Sequence, residues 1–235
     1  MVSWLARFVI DLGQWTPFAG RGAYSEQSLA TRGRRTEFPQ AEQEASRAHD
    51  FHAFFGEGLV STTLQGRDVL DFGSGYGGRT VEYARCGARF VWGIEPFESM
   101  VSRSIAYARH AGVANVDFKL CGQDTIPLPD AAVDVVVSYD VLEHVDDPRI
   151  SVREIHRVLK PGGHALLVFP VYFGAFSHHL DYITLLPGLH WFFPPDKLVS
   201  AVNELLRRDS KQEIEQQPQP RRSFDGARYV LPTLN

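Results

Sequence analysis

Cysteine is nearly missing from this sequence. Cys86 and Cys121 are the two in 235 residues, which excludes a disulfide framework and a four-cysteine zinc site and fits a reducing compartment. Long apolar runs are missing as well, since no stretch approaches the roughly 18 residues that a membrane helix needs. Residues 1–12 are apolar but short, Arg7 and Asp11 interrupt them, and no basic start or small-residue cleavage site accompanies them. A secretory leader is therefore not expected, and the expected location is cytoplasmic. Positive charge is not in excess: 24 Lys and Arg against 28 Asp and Glu give a net charge of −4. The chain as a whole is not built as a nucleic-acid binder. Its local Arg groups, Arg32 with Arg34 and Arg35, Arg207 with Arg208, and Arg221 with Arg222, read as solvated surface.

What is present is ordinary for a globular protein: 44% hydrophobic and 22% charged residues, enough to form a core without staples. Trp4, Leu5, Phe8, Val9 and Leu12 follow a helical spacing and paint one apolar stripe, expected to pack on the body. Residues 38–56 read as a helix with Pro39 in its first turn. From residue 67 a strand–turn–helix pattern repeats. Asp68–Phe72, Ala88–Glu95, Asn115–Leu120, Val133–Tyr139 and Ala165–Phe169 read as strands. Thr80–Cys86, Ser99–His110 and Arg149–Leu159 read as helices, the last broken by Pro161-Gly162-Gly163. Val133–Tyr139 is nearly pure Val, the mark of a parallel strand buried on both faces. The fold class that follows is α/β, with a doubly wound, mostly parallel sheet.

Three signals carry chemistry. Asp71-Phe72-Gly73-Ser74-Gly75-Tyr76-Gly77-Gly78 places glycines directly after the first strand. Glycine lets the backbone turn tightly and approach a ligand, and the helix that follows offers free N–H groups at its start. Gly73, Gly75 and Gly78 satisfy G-x-G-x-x-G, which by itself fits several nucleoside ligands. Glu95 ends the second strand, 22 residues after Gly73. An acid there can accept both ribose hydroxyl protons and repels a 2′-phosphate. Asp71 lies inside an apolar strand and needs partners; it is expected to accept backbone N–H groups of the glycine loop or to face a cationic ligand group. Gln123 and Asp124 follow the third strand, where an acid can meet an adenine amine. Three acids around one nucleoside favour a ligand with an amine and a sulfonium over one with two phosphates.

With these residues the sequence resembles the class I S-adenosylmethionine-dependent methyltransferases, and within them the small-molecule branch similar to the ubiquinone and menaquinone biosynthesis enzymes. The carrying motifs are Val69–Gly77, Glu95, Gln123-Asp124, Ile126-Pro127-Leu128, Ala132–Val136, Val141-Leu142-Glu143-His144-Val145, Glu154-Ile155 and Arg157–Gly163. The resemblance implies a Rossmann-like methyltransferase fold with S-adenosylmethionine as cofactor. It places Gly73 and Gly75 under the methionine moiety, with Asp71 supporting the loop and contacting the amino group. It also places Glu95 at the ribose, Asp124 at the adenine amine with Gln123 beside it, and Tyr139 along the sulfonium pocket.

On the acceptor side, His144 follows the fourth strand at the carboxyl end, where ligands bind in open α/β sheets, and it could serve as a general base or be structural. His178, His179, Asp181 and His190 form a second group. His178 is its candidate base, packing is the alternative, and the spacing matches no metal motif, so no metal site is assigned. The aromatics of 171–195 suggest an insertion over the ligand end and an apolar or ring-containing acceptor. The expected function is methyl transfer from S-adenosylmethionine to a small-molecule acceptor, at a hydroxyl oxygen. An NAD-dependent oxidoreductase of similar architecture, or a non-catalytic S-adenosylmethionine-binding subunit, are the other readings. The expected domain plan is an N-terminal cover over 1–36, the methyltransferase domain over 37–208 and a polar tail over 209–235. The family's C-terminal strand pair is not legible, which leaves a sheet edge exposed and a homodimer as an expectation.

Overall fold

The computed structural model describes residues 36–48, 54–55, 58–122, 125–170, 186–194, 196–198 and 200–201, together with Trp4, Leu5, Phe8, Val9, Gly174 and Glu204. Contacts within the chain divide it into two units, Thr36–Phe169 and Met1–Arg35 with Pro170–Asn235.

The first unit is an open sheet of five strands, β1 (Asp68–Phe72), β2 (Phe90–Glu95), β3 (Val116–Leu120), β4 (Val133–Tyr139) and β5 (Leu159–Val168), in the order β3-β2-β1-β4-β5. Every pairing is parallel. The helices are α1 (Pro39–Ser46), α2 (Leu59–Leu64), α3 (Gly78–Arg85), α4 (Glu98–His110) and α5 (Pro148–Val158). Alternation along the strands sends Val69, Val91, Val135 and Val137 to one face, against Leu64, Tyr83 and Ala84. Leu70, Ile94 and Val136 go to the other, against Ile155 and Val158. Each such side chain contributes about 1.5–3 kcal/mol when fully buried, which is why β1 and β4 read as unbroken apolar runs. A third cluster joins Phe38, which precedes α1, and Ala41 of α1 to Val81 of α3, Tyr107 of α4 and Phe118 of β3. The chain order places the switch point between β1 and β4, the crevice where ligands of such sheets bind.

Several expectations need correction. The helix read over 38–56 ends at Ser46, with a turn at Arg47 and Ala48. α5 is not broken by Pro161-Gly162-Gly163. It ends at Val158 and passes directly into β5. The Pro-Gly-Gly segment is a bulge inside that strand, since Val133 pairs with Leu159 but Val135 pairs with His164. β5 lies at the end of the strand order, and an edge strand tolerates a proline and a bulge. The bulge aims Lys160 at Asp68 and Asp134, 3.0 Å from each. Arg89 also grips Asp68, with its Nε 2.7 Å from Oδ1. These contacts explain how an acid can open a fully buried strand.

In the second unit, Trp4 and Phe8 stack at 5.7 Å. Trp4, Leu5 and Phe8 are exposed. The short helix α6 (Leu189–Phe192) buries Leu189 and His190 and exposes Trp191 and Phe192. His178, His179, Asp181 and the tail with its Arg228–Leu231 segment lie outside the described residues, as do Gln123 and Asp124.

Candidate functional site

The site is built at the carboxyl ends of β1, β2 and β4. β1 runs out at Phe72 into a turn in which Gly73, Gly75 and Gly77 have φ of 82°, 55° and 81°. These left-handed angles are open to glycine and strained for other residues, so this spacing of glycines follows from the backbone path. The turn is also packed against its neighbours. A Cβ on Gly73 would lie 2.3 Å from Val141 Cγ2, in the segment after β4.

The N–H groups of this turn are all occupied. Gly73 and Ser74 donate to the Ile94 carbonyl, and Gly77 donates to the Ser74 carbonyl. Gly75 donates to Glu95 Oε2 at 3.1 Å. Tyr76 and Gly78 donate to Glu44 Oε1 and Oε2, each at 3.0 Å. Of the N–H groups expected to be free at the start of the glycine helix, that of Gly78 is taken by a carboxylate from α1. Asp71 differs from expectation as well. Its Oδ2 accepts the Thr80 hydroxyl at 2.6 Å rather than any N–H of the glycine turn. The loop is held by Glu95 and Glu44.

Three acids converge here in the described structure, Asp71, Glu95 and Glu44, whereas Asp124, the third acid expected from the sequence, lies outside the described residues. Sequence reasoning missed Glu44. Its signal was an acid on the buried face of α1, one turn from Ala41 and four residues before Ala48, both of which are buried. Burial pushes Glu44 up to about 7, against the two N–H bonds and Arg79, which favour its charge. Burial raises Glu95 to about 7, with Glu44 and Asp71 adding like-charge repulsion. Asp71 rises to about 6, again chiefly through desolvation. Among the described residues, Arg79 is the cation acting on Glu44 and Asp71, and its guanidinium lies 4.3 Å over the Tyr139 ring. The cluster is short of positive charge. Such a site favours a ligand that brings its own.

A carboxyl raised in the folded state holds its proton to higher pH than in the unfolded chain, so its contribution to stability is lost as pH rises from about 5 through about 7. A cationic ligand favours the ionised form, so its affinity rises over the same range. S-adenosylmethionine is expected to bind several-fold tighter at pH 8 than at pH 6, measured by calorimetry, with the slope reduced in Glu95→Gln. A pH-independent affinity in the wild type would contradict this assignment.

Beyond β4, Asp140 is held at φ 55°, an angle that Asp tolerates better than most residues. Glu143 is the most perturbed group of this segment. Neither of its oxygens is hydrogen-bonded among the described residues, and burial, with repulsion from Asp140, pushes it up to about 8. His144 Nε2 is 3.8 Å from Glu143 Oε1. The structure thus brings together Asp71, Gly73, Gly75, Glu95 and Tyr139, and sets His144 beside Glu143 in the segment that follows β4.

The family model for a methyltransferase domain matches residues 70–167. An uncharacterized methyltransferase of Mycobacterium sp. (strain JLS) is 36% identical over 123 residues, covering 52% of this chain and 46% of that protein. A protein of Mycolicibacterium smegmatis named a probable S-adenosylmethionine-dependent methyltransferase is 40% identical over 107 residues, covering 45% of this chain and 38% of that one. The solved YcgJ protein of Bacillus subtilis is similar at 26% identity with a TM-score of 0.48, covering 66% of this chain and 68% of that one. The chain spans about half the length of the curated relatives it matches first. Residues 70–167 thus match a methyltransferase domain, and the parallel sheet they form is the Rossmann-like fold of the class I, S-adenosylmethionine-dependent methyltransferases.

Proposed function

We propose that the chain transfers a methyl group from S-adenosylmethionine to a small-molecule acceptor at a hydroxyl oxygen. The observation that carries the cofactor half is the under-neutralised trio Asp71, Glu95 and Glu44 around the glycine turn. The saturated N–H groups of the turn support the same reading, because a dinucleotide pyrophosphate needs such groups free and these are taken. A non-catalytic S-adenosylmethionine-binding subunit remains the second reading.

When bound, the cofactor supplies an electrophilic methyl group on a sulfonium. Glu95 accepts the ribose hydroxyls, Tyr139 lines the sulfonium side, and Gln123 and Asp124 serve the adenine. The transfer breaks the sulfur–methyl bond, whose electron pair stays on sulfur, and forms a carbon–oxygen bond. The hydroxyl proton goes to His144, with Glu143 beside it, or to His178 if that histidine is the base. Orientation and exclusion of water supply most of what such a transfer needs. The domain plan of 37–208 with an aromatic insertion belongs to the same proposal, with the insertion supplying an apolar acceptor wall.

Calorimetry with S-adenosylmethionine, S-adenosylhomocysteine and NAD tests the cofactor assignment. The first two are expected to bind and NAD is not. Binding of NAD with neither adenosyl compound bound would overturn it. For the acceptor half, formation of S-adenosylhomocysteine on presenting small hydroxylated ring compounds is expected. Cofactor binding without turnover on any acceptor class would favour the binding-subunit reading.

A further inference from the structure

Glu44 lies outside the matched segment 70–167, yet it binds two N–H groups of the glycine turn. Its oxygens take the Tyr76 and Gly78 N–H groups at 3.0 Å. A Cβ on Gly75 would lie 2.6 Å from its Oε1, so the carboxylate covers the face of the turn that only glycine leaves open. α1 is seated firmly beneath it. Phe38 packs on Tyr107 and His110 at 5.6 and 5.2 Å, Ala41 is buried, and the Ala41 carbonyl lies against Gly78. Glu44 is therefore a fixed wall of the site rather than a visitor to it. Its effect on an amino-acid ligand has two parts. The ligand's carboxylate finds the start of α3 already occupied by a like charge. The ligand's ammonium finds a carboxylate whose oxygens each retain a second lone pair, in a cluster that desolvation leaves hungry for a cation.

We propose that Glu44 is a further positioning and specificity residue of the cofactor site, one that holds the amino-acid end of the cofactor by its ammonium and excludes its carboxylate from the glycine turn. This rests on the S-adenosylmethionine reading above and adds the part of the ligand that α1 recognises. Site selectivity is then set in part by a helix outside the matched segment 70–167, and Glu95 and Glu44 hold the glycine turn without a ligand.

The wild-type protein tests this without any variant. Affinities are measured for S-adenosylhomocysteine, for its deaminated form, which keeps the carboxylate, and for its decarboxylated form, which keeps the ammonium. Loss of the ammonium is expected to weaken binding roughly ten-fold or more, and loss of the carboxylate by less than about three-fold. Decarboxylation costing as much as deamination overturns the proposal. In Glu44→Gln, verified as folded by its melting curve, the penalty for deamination is expected to fall to about three-fold or less. An unchanged penalty, or tighter binding of S-adenosylhomocysteine, overturns it, since a purely structural Glu44 would weaken all three ligands alike. Wild-type protein that binds S-adenosylhomocysteine with the preferences reversed removes this inference alone. Wild-type protein that does not bind it at all removes the cofactor reading as well.

Discussion

Glu95→Ala is expected to weaken S-adenosylhomocysteine binding by about ten- to hundred-fold, which corresponds to about 1–3 kcal/mol. Two losses combine. The ribose hydroxyls lose a charged acceptor, and Gly75 N–H loses the partner now 3.1 Å away, so the turn loosens as well. The same residue is not a stabilising one. Desolvation, with Glu44 and Asp71 nearby, raises its carboxyl to about 7, which means that the folded protein resists its charge. Glu95→Gln keeps the shape and removes the charge, so the ligand-free variant is expected to melt no lower than the wild type at pH 8. Stability held in reserve against function is the usual mark of a binding residue. Unchanged affinity in Glu95→Ala, measured by calorimetry, would show that the ribose is held elsewhere.

Gly78→Ala is expected to lower the melting temperature by roughly 2–12 °C. Helix propensity alone gives the opposite sign, since Ala exceeds Gly by about 1 kcal/mol inside a helix, and Gly78 opens α3. Packing decides the outcome. A Cβ there would lie 1.9 Å from the Ala41 carbonyl oxygen and 2.7 Å from the Ala45 nitrogen. Those are backbone atoms of α1, which cannot swing aside as a side chain could. Overpacking of this kind costs about 1–3 kcal/mol or more, and each kcal/mol shifts the melting point by about 2–4 °C in a chain of this size. The variant pushes α1 away and draws Glu44 off the turn, so cofactor affinity falls with stability. An unchanged or higher melting temperature would mean that α1 is not seated on Gly78.

The legible and illegible parts of this molecule separate on physical grounds. β4 was read from Val133 to Tyr139 and lies there, because a strand buried on both faces leaves an unbroken apolar run. The glycine turn and Glu95 were legible because few residue types can supply a left-handed turn or a strand-end acceptor. Pro161-Gly162-Gly163 misled because its local chemistry says break, whereas an edge strand accommodates it as a bulge. Asp71 was recognised as a buried acid, but its partner, the Thr80 hydroxyl, could not be chosen from many candidates without the turn's geometry. Glu44 was hidden for a deeper reason. It reaches the site from 32 residues before Tyr76, and nothing local to α1 states which helix start its carboxylate will cap. Glu143 stood beside the histidine chosen as a base, yet its burial, and the lack of any hydrogen bond to it among the described residues, become visible only once α5 and β4 enclose the loop.

The central claim is that a cationic adenosyl cofactor sits on the glycine turn between Glu95 and Tyr139. A crystal structure of the protein with S-adenosylhomocysteine tests it directly. The account predicts ribose hydroxyls donating to Glu95, the sulfur beside Tyr139 and the ammonium toward Glu44, with the Tyr76 and Gly78 N–H groups still on Glu44. A nucleoside bound away from Glu95, or Glu44 displaced from the turn by the ligand's carboxylate, would contradict it.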